Sequence, residues 1–198
     1  VYDPSLRRNL AMKVIRDGEA SDAEATDSRT LGRFLEEAQV TAQLDHPGIV
    51  PVHELGVDDQ GRVYFTMKLV RGEEFTRIIE KVHGGAEGWN LTRALGVLLR
   101  VCEAISYAHE KGVVHRDLKP SNIMLRDRLA DLRTAPLTAC FVKLLDFGLA
   151  FHLRTGQRGA CQEFIGTADY SSDDRLLSRR DPLPVDDIVS LGYTALHA

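Results

Sequence analysis

His115-Arg116-Asp117-Leu118-Lys119-Pro120-Ser121-Asn122 is the stretch on which the fold turns. It follows Val113-Val114, an apolar pair that reads as a short strand, and it sets a carboxylate, an ammonium and an amide in one loop. Upstream, Leu91, Leu95, Leu98, Leu99, Cys102, Ile105, Ser106 and His109 recur at helical spacing, and Gly112 closes that helix. Downstream, Phe141-Val142-Lys143-Leu144-Leu145 reads as a strand and runs into Asp146-Phe147-Gly148. Taken alone, the last string is weak, because Asp-x-Gly turns after strands are common.

Further out, the first part of the chain alternates short apolar runs with turn residues. Leu10-Ala11-Met12-Lys13-Val14-Ile15 predicts a strand, and Asp17-Gly18 a turn. Residues 19–30, polar and acidic, read as a mobile loop. Leu31, Phe34, Leu35, Ala38 and Ala42 predict an amphipathic helix over about residues 31–44, which His46-Pro47-Gly48 stops. Strand-like runs follow at residues 49–55 and 62–70, then a helix over 75–82 and a loop over 84–90. A sheet-rich first part and a helix-rich second part predict a two-lobed α+β layout, with one lobe over residues 1–70 and the other over 71–198.

Composition narrows the function classes. A net charge of −4 supplies no basic field for nucleic acid, so no nucleic-acid partner is expected. The three cysteines, Cys102, Cys140 and Cys161, lie far apart with no C-x-x-C pair, which argues against a zinc site or a disulfide framework and fits a reducing cytoplasm. The most apolar stretch, residues 94–107, is interrupted by Arg100 and Glu103 and falls short of the ~20 residues a membrane span needs. The chain opens at Val1-Tyr2-Asp3-Pro4, in mid-pattern and with no apolar leader, and is expected to be a fragment. A membrane anchor of the full-length protein would lie outside it.

The string from His115 to Asn122 resembles the catalytic loop of protein kinases, and a chance surface turn does not account for eight matched positions. The resemblance implies the two-lobed protein-kinase-like fold, a small antiparallel-sheet lobe and a mainly helical one. It also implies transfer of the γ-phosphate of ATP, with Mg2+, to protein Ser or Thr hydroxyls. By it, Asp117 accepts the proton of the attacking hydroxyl, Lys119 sits against the transferring phosphate, and Asn122 holds one Mg2+. Asp146, 24 positions beyond Asn122, holds the Mg2+ that bridges the phosphates, and Phe147 packs inward. Residues 126–138 are then an enlarged hairpin loop. Ala11-Met12-Lys13 resembles the strand whose lysine grips the α- and β-phosphates. Its partner is Glu36 or Glu37. Helical geometry barely separates the two, since both fall outside the apolar stripe; alignment to the family pattern selects Glu37. Residues 64–72 resemble the strand into the interlobe hinge, with Met67 as gatekeeper and the backbone of Lys68 and Val70 meeting adenine. Gly166-Thr167-Ala168-Asp169-Tyr170 resembles the end of the activation segment; Thr167 with Lys119 implies Ser/Thr rather than Tyr specificity, and argues against a small-molecule kinase. Asp187 is expected to anchor the catalytic loop from a buried helix, and its neighbour Asp186 to be a solvated charge.

The chain departs from that pattern in three ways. The Gly-rich phosphate loop that precedes the lysine strand and the helices that follow residue 198 lie outside it, so apolar surface and poor stability in isolation are expected. Ser172-Asp173-Asp174 stands where the family carries Ala-Pro-Glu, with Asp174 as a shorter substitute for the glutamate. This last change favours an alternative, a pseudokinase acting as a nucleotide-binding or scaffolding module; retention of Lys13, Glu37, Asp117, Asn122 and Asp146 favours an active kinase of the bacterial, eukaryotic-like type. Arg116 resembles the arginine that pairs with a phosphorylated activation-loop residue, and Thr155 is the only Ser or Thr between Phe147 and Gly166 to fill that role.

Overall fold

The computed structural model describes residues 1–15, 23–86, 88–126, 142–147, 150–153, 166–177 and 180–197. Four strands form the first sheet: β1 (Tyr2–Asp3), β2 (Arg8–Val14), β3 (Val52–Val57) and β4 (Val63–Lys68), in the antiparallel order β1-β2-β4-β3. In the β2–β4 register Ala11 faces Met67 and Lys13 faces Phe65. Directly opposed residues share a sheet face, so Lys13 lies on the face that carries Phe65. Helix α1 (Ala23–Ala42) covers this face, with Phe34 and Ala38 packed on Phe65, and Met67 and Val52 at the margin. The buried stripe of α1 runs through Phe34, Glu37, Ala38, Val40 and Thr41. Glu37 therefore belongs to the covered face, whereas Glu36 is exposed.

The second part is built on α2 (Phe75–His83) and α3 (Leu91–Glu110). Asn90 caps α3 by accepting from the Arg93 N–H at 3.0 Å. Gly112, at φ +79°, takes the left-handed conformation that turns the chain out of the helix into β6 (Val113–Val114). After a 3-10 turn at Pro120–Asn122 come β7 (Ile123–Arg126), β8 (Val142–Leu144) and β9 (Phe151–His152). Strand β5 (Gly72–Glu74) joins β7 and β8 in a second sheet, and β6 pairs with β9. A 3-10 turn at Ala168–Tyr170, a short helix α4 (Asp173–Leu177) and α5 (Pro184–Leu196) complete the described chain. The main core gathers Phe75, Ile78, Val97, Val101, Ile105, Leu118, Leu144 and Phe147, and Val40, Leu44 and Ile49 reach it from the end of α1 and the loop beyond. The fold is thus α+β in two lobes, joined through a shared apolar contact.

Two expectations are corrected. Helix α1 begins at Ala23, inside the stretch read as a loop. Ala, Glu and Arg are strong helix formers and acidic residues suit a helix's first turns, yet without an apolar stripe this part has no periodicity to detect. Asp186 is buried, at 8% exposure, and not a solvated charge; its partners are given below. Thr155, Gly148 and residues 127–138 of the enlarged loop lie outside the described residues. Apolar side chains are exposed on α5 (Val185, Ile188, Leu196) and on α3 (Leu91, Leu95, Leu99).

Candidate active site

The loop from His115 is held by one buried carboxylate. Asp187, in the first turn of α5 and fully buried, accepts the N–H of His115 at 2.8 Å on Oδ2 and the N–H of Arg116 at 2.8 Å on Oδ1. Oδ2 also lies 2.7 Å from Nε2 of His109, from the last turn of α3. Arg116 has φ +68°, a left-handed conformation that strains a residue with a Cβ, and its two-sided grip by Asp187 holds it there. The buried His115 ring sits 4.6 Å from the Phe147 ring. Its Nε2 is 3.1 Å from the Leu145 carbonyl and its Nδ1 receives the Asp117 N–H at 3.3 Å, which together select the Nε2–H tautomer.

Asp117, Lys119 and Asn122 converge as the sequence places them, and Thr167 joins from 50 residues away. The Thr167 hydroxyl donates to Asp117 Oδ1 at 2.6 Å and accepts from Lys119 Nζ at 2.8 Å. Lys119 Nζ also lies 2.8 Å from Asp117 Oδ2. The Asn122 amide donates to the Asp117 carbonyl at 2.8 Å and to Oδ2 at 3.2 Å, so its Oδ1 remains for another partner. Burial works against the Asp117 carboxylate, but Lys119 and Thr167 outweigh it and hold the group below the usual aspartate range.

The second cluster joins sheet, helix and loop. Lys13 Nζ lies 2.6 and 2.8 Å from the two Glu37 oxygens and 3.1 Å from Asp146 Oδ1. Burial opposes the Lys13 charge, yet Glu37 and Asp146 together raise the ammonium above its ordinary value. Glu37 is pushed up by burial, against the pull of Lys13; the short bidentate contact is that of an ammonium with a carboxylate, and the pair is ionised. Asp146 is exposed and has φ +55°, a strained conformation that turns the chain directly after β8. The Leu145 N–H donates to the Asn122 carbonyl at 2.8 Å, which ties the stretch before Asp146 to the catalytic loop.

At the end of β4, Met67 packs against the Phe34 cluster, and the Lys68 N–H donates to the Pro51 carbonyl at 3.1 Å. Val70 is half-buried in the link to β5. Among the described residues no three His, Cys, Asp or Glu side chains cluster as a metal site. Asn122 and Asp146 offer an amide oxygen and a carboxylate, a hard-donor pair of the kind that binds Mg2+ when substrate phosphates complete the shell.

Sequence reasoning missed three residues. His109 was visible only as a histidine inside an apolar stripe. Arg175 and Arg180, which approach Asp186 to 4.0 and 2.6 Å, carried no signal, since nothing local separates a buried arginine from a surface one.

The protein kinase domain family matches residues 2–198, and the chain belongs to it. Its curated relatives include the serine/threonine-protein kinase PknA of Mycobacterium tuberculosis, 33% identical over 200 residues, covering 99% of this chain and 42% of that protein. Pkn3, a serine/threonine-protein kinase of Myxococcus xanthus, is 36% identical over 146 residues, 74% of this chain and 24% of its own length. The serine/threonine-protein kinase PknD of Protochlamydia amoebophila is 36% identical over 132 residues, 63% of this chain and 13% of that protein. The chain spans less than half the length of these relatives.

Proposed function

We propose that the protein carrying this domain is a serine/threonine protein kinase, transferring the γ-phosphate of Mg-ATP to protein Ser or Thr hydroxyls, with its lobes divided near residue 70. The observation that carries this reading is the meeting of Lys13 with Glu37 and Asp146, which sets an oriented ammonium beside a carboxylate fit for a metal, as phosphoryl transfer requires.

Phosphoryl transfer asks mainly for positioning and charge neutralisation. The backbone of Lys68 and Val70 meets the adenine edge, with Met67 closing the pocket behind it. Lys13, oriented by Glu37, binds the α- and β-phosphates. Asn122 and Asp146 would hold Mg2+, which would supply neutralisation of the phosphate charge. Asp117 accepts a hydrogen bond from the substrate hydroxyl, aims its oxygen at the γ-phosphorus, and takes the proton as the bond to the departing phosphate oxygen breaks. Its lowered pKa keeps it ionised and suits a loose transition state, in which the hydroxyl gives up its proton late. Lys119 balances the negative charge of the moving group. A protein substrate lies along residues 166–177, beside Thr167. Among the described residues no helix is long and apolar enough to cross a membrane.

The test is transfer of labelled phosphate from Mg-ATP to a generic basic protein by the full-length protein and its Asp117→Asn variant. Transfer that disappears in the variant is the expected result. Absence of transfer by both, with Mg-ATP binding intact, overturns the reading.

A further inference from the structure

Two separate stretches meet at Asp117. One is the loop that Asp187 holds; the other is the segment that brings Thr167 against the carboxylate. The Thr167 segment continues through the turn at Ala168–Tyr170 into α4, where Ser172 Oγ accepts the Arg175 N–H at 3.1 Å and its carbonyl accepts the Leu176 N–H at 2.9 Å. From α4 to the first turn of α5 the link is ionic. Arg180 Nη2 lies 2.6 Å from Asp186 Oδ1, Nη1 lies 2.9 Å from Oδ2, and Nε and Nη2 reach Asp174 Oδ2 at 3.2 and 3.1 Å. One guanidinium thus joins an aspartate of α4 to an aspartate of α5.

Asp186 is also the residue that caps α5, since its Oδ2 accepts the Leu183 N–H at 2.8 Å. Its chain neighbour is Asp187. The contacts therefore close a ring: Asp117 to Thr167, along the chain to Asp174, through Arg180 to Asp186, then Asp187, the backbone of His115 and Arg116, and back to Asp117. The buried Asp186 arm is a planar fork-to-fork pair, the geometry that suits arginine and that lysine cannot reproduce. The Asp174 arm, 73% exposed, is the weaker one.

We propose that Arg180 is a positioning residue for the protein-substrate end of the site: it clamps α4 to the first turn of α5 and so sets Thr167 against Asp117. This rests on the kinase reading. It also gives Asp174, in the Ser172-Asp173-Asp174 stretch, a partner six residues away within the same chain. Lys13, Glu37 and Asp146 lie outside the ring, so the clamp governs peptide and not nucleotide.

The test uses the full-length protein, steady-state kinetics against a Ser-containing peptide and against ATP, and amide hydrogen exchange over residues 166–177. Arg180→Ala is expected to raise the peptide KM about tenfold while the ATP KM stays within about twofold. Exchange over 166–177 is expected to quicken. Arg180→Lys recovers part of the loss, and Asp59→Asn, exposed in the turn between β3 and β4, changes nothing. A peptide KM within about twofold of wild type overturns the proposal. So does an equal loss of peptide and ATP affinity with lowered thermal stability, which marks a merely structural pair. Should Arg180→Ala not fold, Asp174→Asn, which leaves the Asp186 arm intact, is expected to raise the peptide KM alone, and no change overturns the clamp. If wild type transfers no phosphate, the kinase reading fails by itself; the clamp is then judged by exchange, and unaltered exchange in the variant overturns it.

Discussion

The Thr167 hydroxyl donates to Asp117 Oδ1 at 2.6 Å. That contact puts a hydroxyl from the chain itself on the carboxylate that would receive a substrate hydroxyl, and it fixes one oxygen of Asp117 while Lys119 engages the other. Thr167→Ser keeps the donor and is expected to hold kcat/KM near wild type. Thr167→Val keeps the shape and removes the donor; a hydrogen bond to a charged group is worth about 1.5–3 kcal/mol, so kcat/KM should fall roughly tenfold to a hundredfold. Steady-state kinetics of the two variants check this.

Glu37 and Glu36 are neighbours in sequence with opposite surroundings. Glu37→Gln removes the charge that orients Lys13 and is expected to lower kcat/KM for ATP by about tenfold or more. Glu36→Gln, on the exposed face, should stay within about twofold. Equal losses in the two variants would contradict the Lys13–Glu37 assignment.

Asp187 has no solvent to fall back on. Asp187→Asn keeps one acceptor oxygen but turns an NH2 toward a backbone N–H that now donates to a carboxylate. The mismatch is expected to cost about 2–4 kcal/mol of stability. Urea unfolding followed by circular dichroism measures it, and loss of the strained Arg116 conformation should lower activity in the same variant.

Asp186 makes stability depend on acid. Burial raises its pKa, but Arg180, the Leu183 N–H and Arg175 outweigh this and hold it below the reference 3.8. A carboxylate depressed in the folded state contributes stability that is present above its unfolded pKa and lost as pH falls through the folded one. Wild type should therefore melt above Asp186→Asn at neutral pH, and the gap should narrow as pH drops below about 4. Thermal melts from neutral pH into that acid range check it; a gap that widens in acid contradicts the ion pair.

Part of the fold and of the candidate site was legible in the sequence. Lys13, Asp117, Lys119, Asn122 and Asp146 stand in short strings where the order of residue types itself carries the chemistry. Helix α3 followed from apolar spacing, because a helix against a core must repeat its buried side chains every three or four residues. The start of α1 was not legible, since propensity without a buried stripe leaves no period.

The sequence by itself determined the family and the two-lobed layout and pointed to most of the candidate site residues, because those depend on local order along the chain. Tertiary structure alone decided that Glu37 is buried beside Lys13 while Glu36 is exposed, that Asp186 is buried, and that Arg180 links α4 to α5. The physical reason is the same in each case. Charge pairing and burial are set by groups brought together from distant parts of the chain, and an aspartate or arginine looks alike in sequence whether water or a counter-charge surrounds it.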